Sequence, residues 1–317
     1  MAWLLAPLAL LIERLAGYPP QVFKLVGHPV TWMGALIGWL EARLNTGDNR
    51  RWKGAAMLVL LVATGLAVSL LIIAVTRRMP FGFVLEAGLA SSLLAQKELG
   101  RAVKAVADGL SVSLEAGRAA VSHIVGRDPH VLDEPGVARA AIESLAESTS
   151  DGVVAPLFWL LVGGLPGIVL YKAINTADSM VGHRNERYAA FGWASARLDD
   201  VANWIPARLT ALLIAGASFL VRRADPEGAW GTTLRDARKH ASPNAGWPEA
   251  AFAGALGFSL GGPRDYDGET HDLPAFGDGR TDLNALDILK SLELYWMAMN
   301  VLLAATVVVV LALWRFA

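Results

Sequence analysis

From Gly54 to Thr76 the chain runs GAAMLVLLVATGLAVSLLIIAVT without one charged side chain. A helix of that length, rising 1.5 Å per residue, covers the roughly 30 Å of a bilayer's hydrocarbon, so the run predicts a membrane span and argues against an ordinary soluble fold. Arg50, Arg51 and Lys53 precede it and Arg77 and Arg78 follow it, so the distribution of basic residues assigns no orientation. Ile205 to Val221, interrupted only by Arg208, and Trp296 to Leu313, closed by Trp314 and Arg315, read as further spans, and Phe81 to Ala95 is another candidate despite Glu86. The opening MAWLLAPLALLIERLAG has no basic leader and no small-residue cleavage site, and is expected to be a retained membrane segment rather than a signal peptide. The fold class expected is therefore all-α, a polytopic integral membrane helical protein.

The chain is 54% hydrophobic yet 18% charged, which predicts sizeable polar segments beside the spans. A net charge of -1 argues against a nucleic-acid partner, and the absence of cysteine excludes disulfides, thiolate metal sites and a cysteine nucleophile. From 100 to 150, charges recur every few residues with helical periodicity (Arg101, Lys104, Asp108, Glu115, Arg118), as in water-facing amphipathic helices, here expected on the cytoplasmic side. Asp128-Pro129 and Glu134-Pro135-Gly136 are expected to break this polar insertion into two.

Charged and amide side chains are densest in YKAINTADSMVGHRNERYAAFGWASARLDDVANWIPARLTA, Tyr171 to Ala211, between two apolar stretches. Each charge would cost about 2.5 to 3.5 kcal/mol at the centre of a lone bilayer helix, which places most of the segment at or outside the interface. On a helix, Asn175 and Asp178 share a face, Lys172 and Asn175 pair next to it, and Asp199, Asp200 and Asn203 repeat the pattern. Such hard oxygen donors suit Mg²⁺, while Arg184, Arg187, Arg197 and Arg208 offer planar forks for phosphate or carboxylate. Interfacial ion pairs, Glu186 with Arg187 and Asp199 with Arg197, are the plainer alternative. His28-Pro29 reads as a turn entering a helix, and His240 and Asn244 fall in a turn before a small-residue helix. No GxxxxGK[ST] phosphate loop occurs.

The apolar segment Gly152 to Leu170 carries Pro156 and GGLPG at 163 to 167. It reads equally as a re-entrant hairpin or as a kinked full span. A full span would put Glu147 and Asp151 across the membrane from Lys172 and Asp178; a hairpin returns them to one surface, and one polar site requires the hairpin.

Several long strings, HPVTWMG (28 to 34), VGRD (125 to 128), AIESLAESTSDGVVAPLF (141 to 158), YKAINTADSMVGHRNERYAAFG (171 to 192), ARLDDVANWIPARLTA (196 to 211) and SPNAGWPEAAFAGAL (242 to 256), together resemble the CobD/CbiB family of integral membrane cobalamin-biosynthesis proteins. They run in order across nearly the whole chain. One departure falls at Ser148, where Asn commonly follows the glutamate. The resemblance implies one membrane-embedded domain over 1 to 317, with its core site motif at about 141 to 211. It also implies adenosylcobinamide-phosphate synthase activity, in which the propionate carboxylate of adenosylcobyric acid is joined to the amine of an aminopropanol or its phosphate at the expense of ATP.

Amide formation requires carboxylate activation, most simply as an acyl phosphate, and then a proton acceptor for the amine. With ATP and Mg²⁺ as the expected cofactors, Asp151, Asp178, Asp199 and Asp200 become metal candidates. Asn175 and Asn203 support them, and Lys172, Arg184, Arg187, Arg197 and Arg208 are anion-binding candidates. The catalytic set comprises Glu147, Asp151, Lys172, Asp178 and Glu186, with Glu147 or Glu186 as the base. The expected setting is the cell inner membrane, multi-pass, with the site facing the cytoplasm, where ATP and corrinoid intermediates reside. Partners could include a second copy of the chain and other membrane enzymes of cobalamin assembly. A membrane sensor, a corrinoid-binding transport component and a Mg²⁺-dependent membrane prenyltransferase are the alternative readings.

Overall fold

The computed structural model describes residues 4–126, 128–262, 264–266, 269–271 and 273–315. Helices α1 (Leu5–Ala16), α2 (Pro20–Val26), α3 (Pro29–Leu44), α4 (Arg50–Thr76) and α5 (Gly82–Ser91) are followed by α6 (Gln96–Leu110), α7 (Leu114–Val121) and α8 (Glu134–Thr149). A π-helical turn, Ser150–Val154, leads into α9 (Ala155–Val181), then α10 (Trp193–Ala202), α11 (Trp204–Ser218), α12 (Pro226–Asp236) and α13 (Gly246–Leu256). Four short strands come next, β1 (Leu260–Gly261), β2 (Arg264–Tyr266), β3 (Glu269–His271) and β4 (Ala275–Phe276), before α14 (Ala285–Arg315). β1 pairs with β4 and β2 with β3, both antiparallel, small additions to an otherwise helical chain.

Among the described residues three helical stretches are long and apolar enough to cross a membrane: Arg50–Thr76, Glu134–Val181 and Ala285–Ala312. The expected span over 205 to 221 is shorter in the structure, because α11 ends at Ser218, and α5 is likewise too short to cross by itself. The chain divides into two compact units, Met1–Ala95 with Ala155–Asn203 and Thr306–Ala317, and Gln96–Val154 with Trp204–Ala305.

In the first unit α4 packs on α3 and α9 through Met57, Leu58 and Leu61, while Val59, Leu60 and Leu71 on its other side stay exposed. Gly54 makes the start of this packing feasible: a Cβ there would collide with the carbonyl of Phe191, and one at Gly192 would collide with that of Val181. These close approaches hold the 182–192 loop against α4.

Helix α9 is not a straight rod. Gly164 takes φ 61°, ψ -151°, a conformation closed to residues with a Cβ, and Pro166 removes a hydrogen-bond donor just beyond it. A Cβ on Gly167 would strike the carbonyl of Trp159, and Ala155, Tyr171 and Ala202 share one buried cluster. On an unbroken helix Ala155 and Tyr171 would stand about 24 Å apart. The chain therefore kinks at Gly164, within the 163 to 167 stretch, and brings Gly167 against Trp159.

In the second unit α6 presents Leu99, Val103 and Val106 to the interior and the Lys104–Asp108 pair to solvent, as its periodicity predicts. Residues 100 to 150 form three helices rather than two pieces. Pro135 sits in the first turn of α8, capped by Asp133, where proline initiates a helix instead of breaking it. Nor is α8 water-facing: Ala138, Ala140, Ala141 and Ala146 are buried, because small side chains let neighbours approach from several directions. Glu143, also buried, accepts the Gly261 N–H at 2.7 Å and ties β1 to α8.

Replacing Gly164 by Ala should lower stability by about 1 to 3 kcal/mol, from backbone strain alone. The matched Gly163→Ala, which meets nothing within 4 Å, should be close to neutral. Thermal unfolding of the two detergent-purified variants checks this, and equal midpoints would remove the turn's dependence on Gly164.

Candidate active site

Between the second half of α9 and the antiparallel α10 lies a ladder of polar side chains. The Tyr171 hydroxyl donates to Asn203 Oδ1 at 2.9 Å, and Asn203 Nδ2 donates to Asp199 Oδ2 at 2.9 Å. Asn175 Nδ2 donates to the other Asp199 oxygen at 3.3 Å, and Lys172 Nζ to Asn175 Oδ1 at 3.4 Å. The helical spacing read from the sequence thus places Lys172 and Asn175 together, and Asn175 bridges to α10. Trp159 Nε1 fastens the end of α10 by donating to the Ala202 carbonyl at 3.1 Å.

Asp199 is 8% exposed, and among the described residues no cation pairs with it. Burial pushes its carboxyl up to about 6, the negative charge of Asp178 adds to this, and the two amide donors only partly offset it. Burial also raises Asp200, which Arg197 and Arg184 counter with positive charge. Asp199 is consequently a buried carboxylate whose charge is met by amides and not by a paired cation among the described residues. Among the described residues no group of three or more His, Asp or Glu side chains is arranged as a metal cage. A pair of carboxylates with amide oxygens nearby nonetheless fits Mg²⁺, which commonly takes one or two protein carboxylates and completes its shell with water and phosphate.

Arg187 sits elsewhere. Its guanidinium forks onto Glu41 of α3, with Nε and Nη2 each 3.1 Å from Oε1 and Nη2 3.1 Å from Oε2, and this partner displaces the Glu186–Arg187 pairing considered from the sequence. Asn45 also bonds the Arg187 carbonyl at 3.2 Å, so the pair anchors the 182–192 loop to α3. Glu186 is exposed, and its backbone carbonyl accepts from Arg50 at 3.5 Å. Asp199 likewise takes amides rather than Arg197 as its hydrogen-bond partners.

Sequence reasoning missed Glu41, while His28 stands where the sequence put it, at the turn entering a helix. Glu41 is nearly buried near the end of the apolar α3, and an acid in such a place was the available signal. His28 caps α3, its Nδ1 accepting the Val30 N–H at 3.2 Å, packs edge-on to Tyr18 and feels the charge of Lys172. Burial, first, then Lys172 lower its pKa against the raising effect of a bond to the Ser92 backbone, so the ring is neutral at neutral pH.

Glu147, Asp151 and Arg208 belong to the second unit. Glu147 is exposed near the end of α8, and Asp151 is half-buried in the π-helical turn. Arg208 packs against the Trp204 and Trp247 rings, 4.3 and 4.5 Å from their centroids, and donates to Asn244 Oδ1 at 3.1 Å.

The chain matches the family model described as CobD/Cbib protein over residues 6–295. It is 49% identical over 310 residues to a cobalamin biosynthesis protein CobD from Brucella anthropi, an alignment covering 93% of each chain. It is 49% identical to the Sinorhizobium fredii protein of the same description, covering 98% of this chain and 97% of that one. To the Rhodobacter capsulatus protein so described it is 50% identical, over 91% of each. No solved structure matches. With nearly its whole length aligned, and with the polar ladder built from the strings that carry the likeness, the chain belongs to the CobD/CbiB family of cobalamin-biosynthesis proteins.

Proposed function

We propose that this protein is the ATP-dependent amide ligase of cobalamin assembly, joining the propionate carboxylate of adenosylcobyric acid to the amine of an aminopropanol or its phosphate. The observation that carries the reading is the buried carboxylate Asp199, held by two amides and paired with no cation among the described residues, within a family whose members are described as cobalamin biosynthesis proteins. A sensor or transport component has no need of such a metal-type site.

In this reading Asp178 and Asp199 hold Mg²⁺, with Asp200 and Asp151 as further candidates. Mg²⁺ and ATP together supply the phosphoryl chemistry that makes a carboxylate oxygen a leaving group. Lys172 neutralises anionic oxygens at the other end of the ladder, while Asn175 and Asn203 keep both Asp199 oxygens aimed. The fork of Arg187 on Glu41 makes it a positioning residue for the loop that carries Arg184. Glu147 or Glu186 takes the proton that the amine gives up on forming the amide bond. The protein resides in the inner membrane with this site toward the cytoplasm, and the turn at Gly164 is the tip of a re-entrant hairpin.

The assay is mass-spectrometric detection of the amide from detergent-purified protein given adenosylcobyric acid, ATP, Mg²⁺ and each amine in turn. Product requiring all four components is expected, and product without ATP would end the ligase reading. Asp178→Asn should remove most turnover without loss of folding. Lys172→Met should mainly raise the KM for ATP or the carboxylate substrate, by about tenfold.

A separate check uses stability. Because the Asp199 carboxyl is raised from 3.8 to about 6, the folded state binds more protons than the unfolded state between those values. Without metal, stability therefore falls as pH rises through that window, by about 3 kcal/mol in all. Mg²⁺ should restore it above pH 6 and do little below pH 4, and Asp199→Asn should flatten both responses. A wild-type melting profile that is unresponsive to Mg²⁺ at pH 7 would remove Asp199 from the metal site.

For topology, single cysteines at Ser150 and Ser179 can be labelled in a chain with no native cysteine. Both should react from the cytoplasmic side, and reaction from opposite sides would replace the hairpin with a full span.

A further inference from the structure

At the end of α4 opposite the 182–192 loop, the span closes on Thr76 and the chain turns into α5 by way of Arg77, Arg78 and Phe81. The turn is tightly held. A Cβ on Gly82 would stand 1.9 Å from the Thr76 carbonyl, so the start of α5 lies directly against the end of α4. Phe81 takes φ 60°, ψ 20°, a left-handed conformation uncommon for a bulky residue, and its ring is left exposed. Two arginines at the end of a membrane-crossing helix place this turn at the level of the lipid headgroups.

The turn borders a cavity of about 680 Å³ beside Leu5 of α1. Met79, Phe81 and Phe83 give it further apolar wall, and two side chains of opposite charge, Arg77 and Glu86, line it as well. These two are not paired with each other. Among the described residues no carboxylate pairs with Arg77 and no cation with Glu86, although both stand on the wall of one cavity. The buried Thr76 hydroxyl donates to Glu86 Oε1 and fixes the carboxylate, while Oε2 makes no hydrogen bond among the described residues. Gly82 and Phe83 open α5, whose N-cap offers no side-chain acceptor, so the positive end of that helix adds to Arg77 in favouring an anion.

An occupant that brings only a negative charge leaves Glu86 unmet, and one that brings only a positive charge leaves Arg77 unmet. Both are met by a zwitterion on an apolar stem, whose phosphate takes the guanidinium and whose ammonium has hydrogens to give the carboxylate. We propose that this cavity binds the phosphoethanolamine headgroup of a membrane lipid, with the phosphate on Arg77, the ammonium on Glu86 and the glycerol end of the lipid against the apolar wall. The quaternary ammonium of phosphatidylcholine has no N–H for Glu86, and phosphatidylglycerol brings no cation at all. The site stands on the geometry of the first unit and is independent of the amide-ligase reading.

The test is native mass spectrometry of detergent-purified full-length protein titrated with phosphatidylethanolamine, phosphatidylcholine and phosphatidylglycerol of matched chains, and with free phosphoethanolamine and aminopropanol phosphate. The wild type should hold phosphatidylethanolamine about tenfold more tightly than the other two lipids. Glu86→Gln should bring it down to the level of phosphatidylcholine, and Arg77→Gln should weaken both by about tenfold. Arg78→Gln, outside the cavity lining, should leave the preference intact. Glu86 also braces Thr76, so thermal unfolding of each variant accompanies the titration, and Arg77→Gln supplies a change at an exposed side chain. Equal affinity of the wild type for all three lipids would overturn the site, as would a preference that survives both Arg77→Gln and Glu86→Gln. Arg77-dependent binding of the free amino alcohol phosphates without any preference among lipids would overturn the lipid assignment and give the cavity to a soluble zwitterion.

Discussion

A carboxylate withdrawn from water, with no cation paired to it among the described residues, sets the terms for the polar half of the first unit. Asp199 can be tolerated in that position because two amides, Asn175 and Asn203, each give it a hydrogen bond, and because Tyr171 fixes Asn203 in turn. Neutral donors satisfy its lone pairs without cancelling its charge. Had a lysine or arginine occupied the place of Asn175, the carboxylate would be paired and closed to metal. The arrangement keeps an electrostatic demand in reserve, and the helices around it must be rigid enough to hold that demand against relaxation.

Rigidity comes from backbone contact. Gly54 against Phe191, Gly192 against Val181 and Gly167 against Trp159 are places where chain meets chain with no side chain between. Each fixes a boundary of the ladder: the loop after α9, the start of α10, and the return of α9 itself. The Arg187–Glu41 fork adds a polar lock to the same loop. Arg187 is exposed and held on Glu41, so its contribution to a site works through position.

Much of this was legible in the sequence where the information is local. Polar residues standing three or four apart in an otherwise apolar stretch announce a shared helix face, and Lys172, Asn175, Asp199 and Asn203 do share one network. The glycine–proline run at 163 to 167 announced the kink at Gly164. Pairings between distant segments were not legible: nothing local distinguishes Glu41 from any other acid as the partner of Arg187, nor Asn175 from Arg197 as the neighbour of Asp199. Helix α8 misled for another reason. Its charges suggested exposure, while its alanines allowed burial on several sides, and Glu143 was absorbed by a backbone amide more than a hundred residues away.

Gly65 of α4 also touches Val169 and Leu170, just before Lys172. At 1.5 Å per residue that contact is about 22 Å along α4 from Arg50. Asp178 lies about 12 Å nearer the loop end of α9 than Leu170. Along α9 the ladder thus runs from Lys172, close to where α4 packs, to Asp178 nearer the loop end. Repacking at Gly65 would therefore reach the lysine end of the ladder first and the aspartate end last.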